Sequence, residues 1–167
     1  GGLSVAQRLE VRTHAGMGFV GQAAVAARRD RIRRQPAEAD AAVLGALRLD
    51  DPHHPASRAV VVENTSNGGG GSVWTDEAFF GVARVCQERG LALHVDGARL
   101  FNAAVKRGVA PDYWGRHARS VQVCFSKGLG CAFGAVLALD EDLVHRARRL
   151  KQRLGGSLRQ AGIMAAG

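Results

Sequence analysis

Arg58-Ala59-Val60-Val61-Val62-Glu63-Asn64-Thr65-Ser66-Asn67, followed by four glycines, Gly68 to Gly71, is the stretch that decides the fold class. A short, β-branched apolar run of this kind is what a parallel sheet buries on both faces. It stops at a polar, glycine-rich loop. Thr75-Asp76-Glu77 then opens a helix with capping-type residues, and Phe79, Phe80, Val82, Ala83 and Val85 carry it towards Gly90. Leu91-Ala92-Leu93-His94-Val95 reads as the next buried strand, ending at Asp96-Gly97. Phe101 to Lys106 is a short helix stopped by Gly108. Ser120 to Phe125 is a third strand, ending at Ser126-Lys127-Gly128, and Phe133 to Leu139 is a fourth. Glu141 to Leu154 is a long helix, with Leu143, Val144, Ala147, Leu150 and Leu154 at helical spacing. Strands alternating with helices predict an α/β layered fold with a largely parallel sheet.

Upstream the pattern is weaker. Ser4 to Leu9 fits either strand or helix, and Met17 to Ala27 is rich in glycine and alanine with a basic end. Gln35 to Leu49 fits a helix through Ala41, Val43, Leu44 and Leu47. Pro52-His53-His54-Pro55 then breaks the chain into a loop.

A length of 167 residues suits one domain with a sizeable core, and 46% hydrophobic residues exclude global disorder. No apolar run approaches the roughly 18 residues of a membrane span, and the start lacks the basic-then-apolar pattern of a secretory signal. Cys86, Cys124 and Cys131 are sparse, odd in number and without CxxC spacing. They read as buried thiols in a reducing compartment, which points to the cytoplasm and against a disulfide frame or a metal site. The net charge of +8 gathers at Arg28 to Arg34 and Arg146 to Arg153. Phosphate backbones attract such patches. With only 5% aromatic residues, however, few stacking platforms exist, and the second cluster laces an amphipathic helix. A solvated or subunit-facing surface is the expectation, with no nucleic acid partner.

In open α/β sheets ligands gather beyond the carboxyl ends of the strands. Three such ends carry polar groups: Glu63-Asn64-Thr65, Asp96-Gly97-Ala98-Arg99 and Ser126-Lys127-Gly128. A lysine beside an apolar strand loses solvation, which favours the neutral, nucleophilic amine. Asp96 is placed as a carboxylate for a protonated ring nitrogen, and the Arg99 guanidinium for a carboxylate or ring oxygen. Plainer readings stand beside each: a loop lysine, a turn aspartate before glycine, a surface arginine.

The joint arrangement is more specific than its parts. Glu63-Asn64-Thr65-x-Asn67 with its glycines, His94-Val95-Asp96-Gly97-Ala98-Arg99-Leu100-Phe101-Asn102-Ala103-Ala104, and Ser126-Lys127-Gly128-Leu129-Gly130 resemble the low-specificity L-threonine aldolases. So do Ala147-Arg148-Arg149-Leu150 and Leu154-Gly155-Gly156-x-Leu158-Arg159-Gln160-Ala161-Gly162. The likeness runs over residues 50–167, as the core of a large domain, while 1–49 match poorly as its N-terminal part. The resemblance implies the fold-type-I transferase-like large domain and pyridoxal 5'-phosphate as cofactor. The implied reaction is cleavage of L-threonine or L-allo-threonine to glycine and acetaldehyde. By position it implies that Lys127 holds the cofactor covalently, Asp96 bonds the pyridine nitrogen, and Arg99 contacts substrate carboxylate or ring oxygen. It places His53 near the substrate hydroxyl as the deprotonating group, with His54 adjacent, and Arg159 near the cofactor phosphate, no metal being involved. It also implies a homo-oligomer, dimer or tetramer, in the full-length form.

Departures from the family pattern suggest a divergent member: Ser66 after Thr65, Cys131-Ala132-Phe133 without a proline, Gln152 for lysine, and Ser157 for glycine. The family's upstream phosphate-cradling loop and C-terminal small domain have no counterpart. The chain is therefore expected to be the central slice of a longer one, binding the cofactor weakly and lacking normal turnover. Two other readings remain: a catalytically silent or oligomerisation module, and a lyase for another β-hydroxy amino acid such as phenylserine.

Overall fold

The computed structural model describes residues 9–12, 24–25, 39–48, 52–53 and 55–166. The Arg28–Arg34 cluster, His54 and most of the Ser4–Leu9 and Met17–Ala27 segments lie outside the described residues. Six strands form one sheet: β1 Leu9–Arg12, β2 Ala24–Val25, β3 Ala59–Glu63, β4 Ala92–Gly97, β5 Ser120–Cys124 and β6 Ala135–Leu139. Their order is β1-β6-β5-β4-β3-β2. The strands from β2 to β5 pair in parallel, as the helical crossovers between β3, β4 and β5 require. The sheet is nevertheless mixed, because β6 runs antiparallel to both β5 and β1. Only residues 125–134 join β5 to β6, too short a connection for a crossover of a dozen or more residues. That short return loop carries Lys127.

Alternation along the strands sorts the two faces. Val60 and Val62 of β3, Leu93 and Val95 of β4, and Val121 of β5 are buried in one cluster. On to this face pack α1 (Ala39–Ala46), α2 (Asp76–Glu88) and α3 (Leu100–Arg107) through Val43, Phe79, Val82, Leu100 and Ala103. The opposite face presents Val61, Glu63, His94, Asp96, Ser120 and Gln122, all half-buried. Trp114, completely buried, anchors the loop between α3 and β5. Phe79, Phe80, Tyr113 and Trp114 meet edge to face at centroid separations of 5.5 to 5.6 Å, the preferred aromatic geometry.

Helix boundaries follow local chemistry. Thr75 caps α2, its Oγ1 accepting from the Ala78 N–H at 3.3 Å, and Asp76 and Glu77 complement the first turn. Gly108 ends α3 in the left-handed conformation at φ +66°, where a side chain would be strained. α4 (Glu141–Arg153) has no buried residue at all, so its arginine-laced surface is solvated in this chain. A short α5 (Gly162–Ala165) follows. Among the described residues no helix is long and apolar enough to cross a membrane.

The cysteines divide differently from the expectation that all are buried. Cys86 and Cys124 are, but Cys131 is exposed, because it falls in the return loop between β5 and β6. Burial pushes the Cys86 thiol up to about 11. Alkylation at mildly alkaline pH is therefore expected to modify Cys131 alone, since the thiolate is the nucleophile. Cys86 should react only after denaturation, as peptide mapping would read. Because the folded chain holds the Cys86 proton more tightly than an ordinary thiol does, rising pH between about 9 and 11 favours unfolding.

Candidate functional site

Strand register sets the site. Glu63 of β3 stands opposite Asp96 of β4, and Asp96 opposite Gln122 of β5, so the three parallel strands end at nearly one level. The segments that leave them, Asn64-Thr65, Ala98-Arg99 and Phe125-Ser126-Lys127, consequently share one edge of the sheet. This is the edge where open α/β folds bind ligands.

Each segment is held by hydrogen bonds. The Asn64 N–H donates to the Asp96 carbonyl at 2.9 Å, prolonging the β3–β4 ladder by one residue. Trp74 reaches back from the glycine-rich loop and donates its indole Nε1–H to the Glu63 carbonyl at 2.9 Å. Its backbone N–H points to Asn64 Oδ1 at 3.5 Å. Asn64 is completely buried, and its Nδ2 has no hydrogen-bond partner among the described residues. A buried amide donor left unpaired is costly, and native chains rarely keep one without a reason. The sequence assigned Asn64 no role of its own, although it stands directly after β3 and within the Glu63-Asn64-Thr65-x-Asn67 motif.

Asp96 is half-buried at the end of β4, and its Oδ1 accepts from the Ala98 N–H at 3.2 Å. This local turn orients the carboxylate on the polar face of the sheet. Lower on that face, His94 Nδ1 and Ser120 Oγ lie 2.7 Å apart across β4 and β5. Gly97 is required by close approach: a Cβ there would stand 2.7 Å from the Gln122 carbonyl oxygen and 3.0 Å from Leu100 Cβ. Only glycine lets α3 start so near the sheet and bring Arg99 to this edge.

Lys127 sits in a tight turn, its carbonyl accepting from the Gly130 N–H at 3.0 Å. The Cys131 N–H closes the loop on to the Phe125 carbonyl at 3.1 Å. The lysine is exposed, so the described residues do not supply the desolvation expected for it. The return loop projects past the apolar part of β5 and leaves the side chain in solvent.

A cavity of about 650 Å³ opens between the glycine-rich loop and α3. Thr65, Gly71, Ser72 and Val73 form one wall, with Arg99, Asn102, Lys106 and Arg107 along the helix. Arg107 is tied to Asp76 by a 2.7 Å ion pair, which fastens the far end of α3 to the start of α2. Sequence-predicted residues thus fall in two groups. Asp96, Arg99 and Lys127 come together at the strand-end edge. His53 lies in an exposed turn between α1 and β3, and Arg159 is exposed after α4; of these five residues Arg99 alone is among those lining the cavity. Among the described residues no three His, Cys, Asp or Glu side chains gather as a metal site would need.

The chain is similar to proteins of known family. A family described as beta-eliminating lyase matches residues 9–167. The chain is 39% identical over 141 residues to the low specificity L-threonine aldolase of Escherichia coli K12, covering 79% of this chain and 41% of that one. It is 38% identical over 113 residues to low-specificity L-threonine aldolase 1 of Arabidopsis thaliana, covering 68% and 32%. The structure of the Leishmania major threonine aldolase superposes with a TM-score of 0.63 over 75% of this chain and 37% of that one. At 24% identity that likeness concerns the fold alone. The chain therefore spans about a third to two-fifths of the length of these curated relatives. Since the family match covers nearly every residue, this chain belongs to the beta-eliminating lyases.

Proposed function

We propose that this chain forms the cofactor-bearing core of a pyridoxal-phosphate-dependent lyase. Its substrates are β-hydroxy-α-amino acids, with L-threonine or L-allo-threonine split into glycine and acetaldehyde. The observation that carries the reading is the buried Nδ2 of Asn64, which has no partner among the described residues, on a residue bonded through its N–H to the Asp96 carbonyl at the edge where Lys127 also leaves the sheet. A donor, a carboxylate, a guanidinium and an amine at one edge fit a ring with an oxygen acceptor, a basic nitrogen and an aldehyde. When bound, the cofactor supplies an electron sink for the pair released from the Cα–Cβ bond.

The chain's own residues do the rest. Asp96 holds a proton on the ring nitrogen by its charge. Asn64 would donate from Nδ2 to the ring oxygen once what covers the amide had been displaced by the bound cofactor. Arg99 takes the substrate carboxylate through its planar fork, or shares the ring oxygen. Lys127 carries the covalent attachment through Nζ. His53 takes the proton from the substrate hydroxyl, and Arg159 meets the cofactor phosphate. The same reading makes the full-length protein a cytoplasmic homo-oligomer, dimer or tetramer. A second reading, a catalytically silent interaction module, is favoured by α4, whose residues are all at least partly exposed.

Titration with pyridoxal phosphate separates the two. The lyase reading expects an absorbance band near the visible edge and, after borohydride reduction, a label in the peptide holding Lys127. Threonine should then release acetaldehyde. No band and no label would leave the silent module.

A further inference from the structure

Gly128, the residue after Lys127, has little room for a side chain. A Cβ there would collide with Oδ1 of Asn102 and stand 2.9 Å from its Cγ. The φ of Gly128 is not among the positive values, so the obstacle to a side chain there is the Asn102 carboxamide, which would have to move aside, and not the backbone conformation. The neighbour is one residue on α3, from a part of the chain far from Lys127 in sequence.

α3 is well fixed. Leu100, Ala103 and Ala104 are buried in the core, Gly108 caps its end, and Arg107 pairs with Asp76 at 2.7 Å. The lysine turn is fastened differently. Its backbone bonds, Gly130 N–H to Lys127 carbonyl and Cys131 N–H to Phe125 carbonyl, close the turn on itself, while Ser126 to Cys131 are exposed. A well-packed helix therefore meets a self-contained, exposed turn at the Asn102 carboxamide. Asn102 follows Arg99 by one helical turn, and both line the same cavity.

We infer that Asn102 is a positioning residue, seating the Lys127–Gly128 turn on α3 and so setting the distance from the Lys127 amine to the Arg99 guanidinium. This rests on the reading of Lys127 as the site of covalent attachment. Both groups must address one small substrate, and a displacement of about 1 Å can cost on the order of a hundredfold in rate. The contact acts by shape, so side-chain volume at 102 and at 128 should compensate.

A size-swap cycle tests this in the chain as it stands. Asn102→Ala is expected to raise hydrogen exchange in 126–131 with α3 unchanged, and to slow borohydride fixation at Lys127 by about ten- to a hundredfold. Gly128→Ala, whose methyl displaces the Asn102 carboxamide from the turn, should do the same. The double variant, with the added methyl filling the space vacated by Asn102, should recover most of both losses, and the isosteric Asn102→Asp should keep the exchange pattern of the parent. Strictly additive losses in the double variant, or an Asn102→Ala exchange pattern identical to the parent, would overturn the inference. The exchange measurement needs no cofactor. If the parent shows no label at Lys127, the attachment reading fails while the seating of the turn is still decided by exchange.

Discussion

Replacing Lys127 with alanine is expected to abolish the absorbance band and borohydride label formed with pyridoxal phosphate. Whatever retro-aldol turnover the parent supports should fall by roughly four or more orders of magnitude, as when a covalent nucleophile is deleted. The chain makes this a clean experiment because it holds only three lysines, Lys106, Lys127 and Lys151. Lys106 lines the neighbouring cavity and Lys151 lies on α4, so each is an internal control in the same peptide map. Lys127→Arg should be equally dead, since a guanidinium keeps the charge but does not deprotonate to a nucleophile. Labelling that persists at Lys106 in the alanine variant would move the attachment point to α3 and overturn the role given to Lys127.

The largest stability loss is expected from Phe79→Ala, at about 3–5 kcal/mol, the usual cost of removing a buried phenyl ring. Phe79 is fully buried in α2 and belongs to the cluster that joins α1, α2, α3 and the core face of the sheet. Its ring meets Phe80 edge to face at 5.5 Å. Against a typical stability of about 5–15 kcal/mol, this is a large share, and Tm should drop by roughly 6–20 °C. Val105→Ala is the matched control, 85% exposed on α3, with an effect within about 0.5 kcal/mol. Denaturant midpoints at constant slope read both. A Phe79→Ala loss of no more than the control would mean that α2 does not pack on the sheet as described.

Most of the layer order could be read before any coordinates were known. β3 is a short β-branched run, β4 and β5 are short apolar stretches, each followed by polar residues, and α2 carries its cap, its acidic first turn and its apolar spacing within one segment. Such signals are local, acting over one strand or one helical turn. Asp96, Arg99 and Lys127 stood out as candidates because each follows a strand end, and the family resemblance supplied the roles proposed for them. The direction of β6 was not, because it depends on how far residues 125–134 can travel, and apolar alternation is the same for either direction. Cys131 was misjudged because a small apolar residue in a loop looks like one in a strand.

By itself, then, the sequence determined which residues become strands and helices, which polar groups follow each strand, and the family to which the pattern belongs. Tertiary structure decided the rest. The register of β3, β4 and β5 brings Asn64, Asp96 and Lys127 to one edge, where the buried Asn64 Nδ2 has no partner among the described residues. The packing of α3 sets Asn102 against Gly128. Hydrophobic periodicity is a property of neighbours along the chain, whereas burial and close approach between distant segments exist only once strand order and helix packing have brought them together.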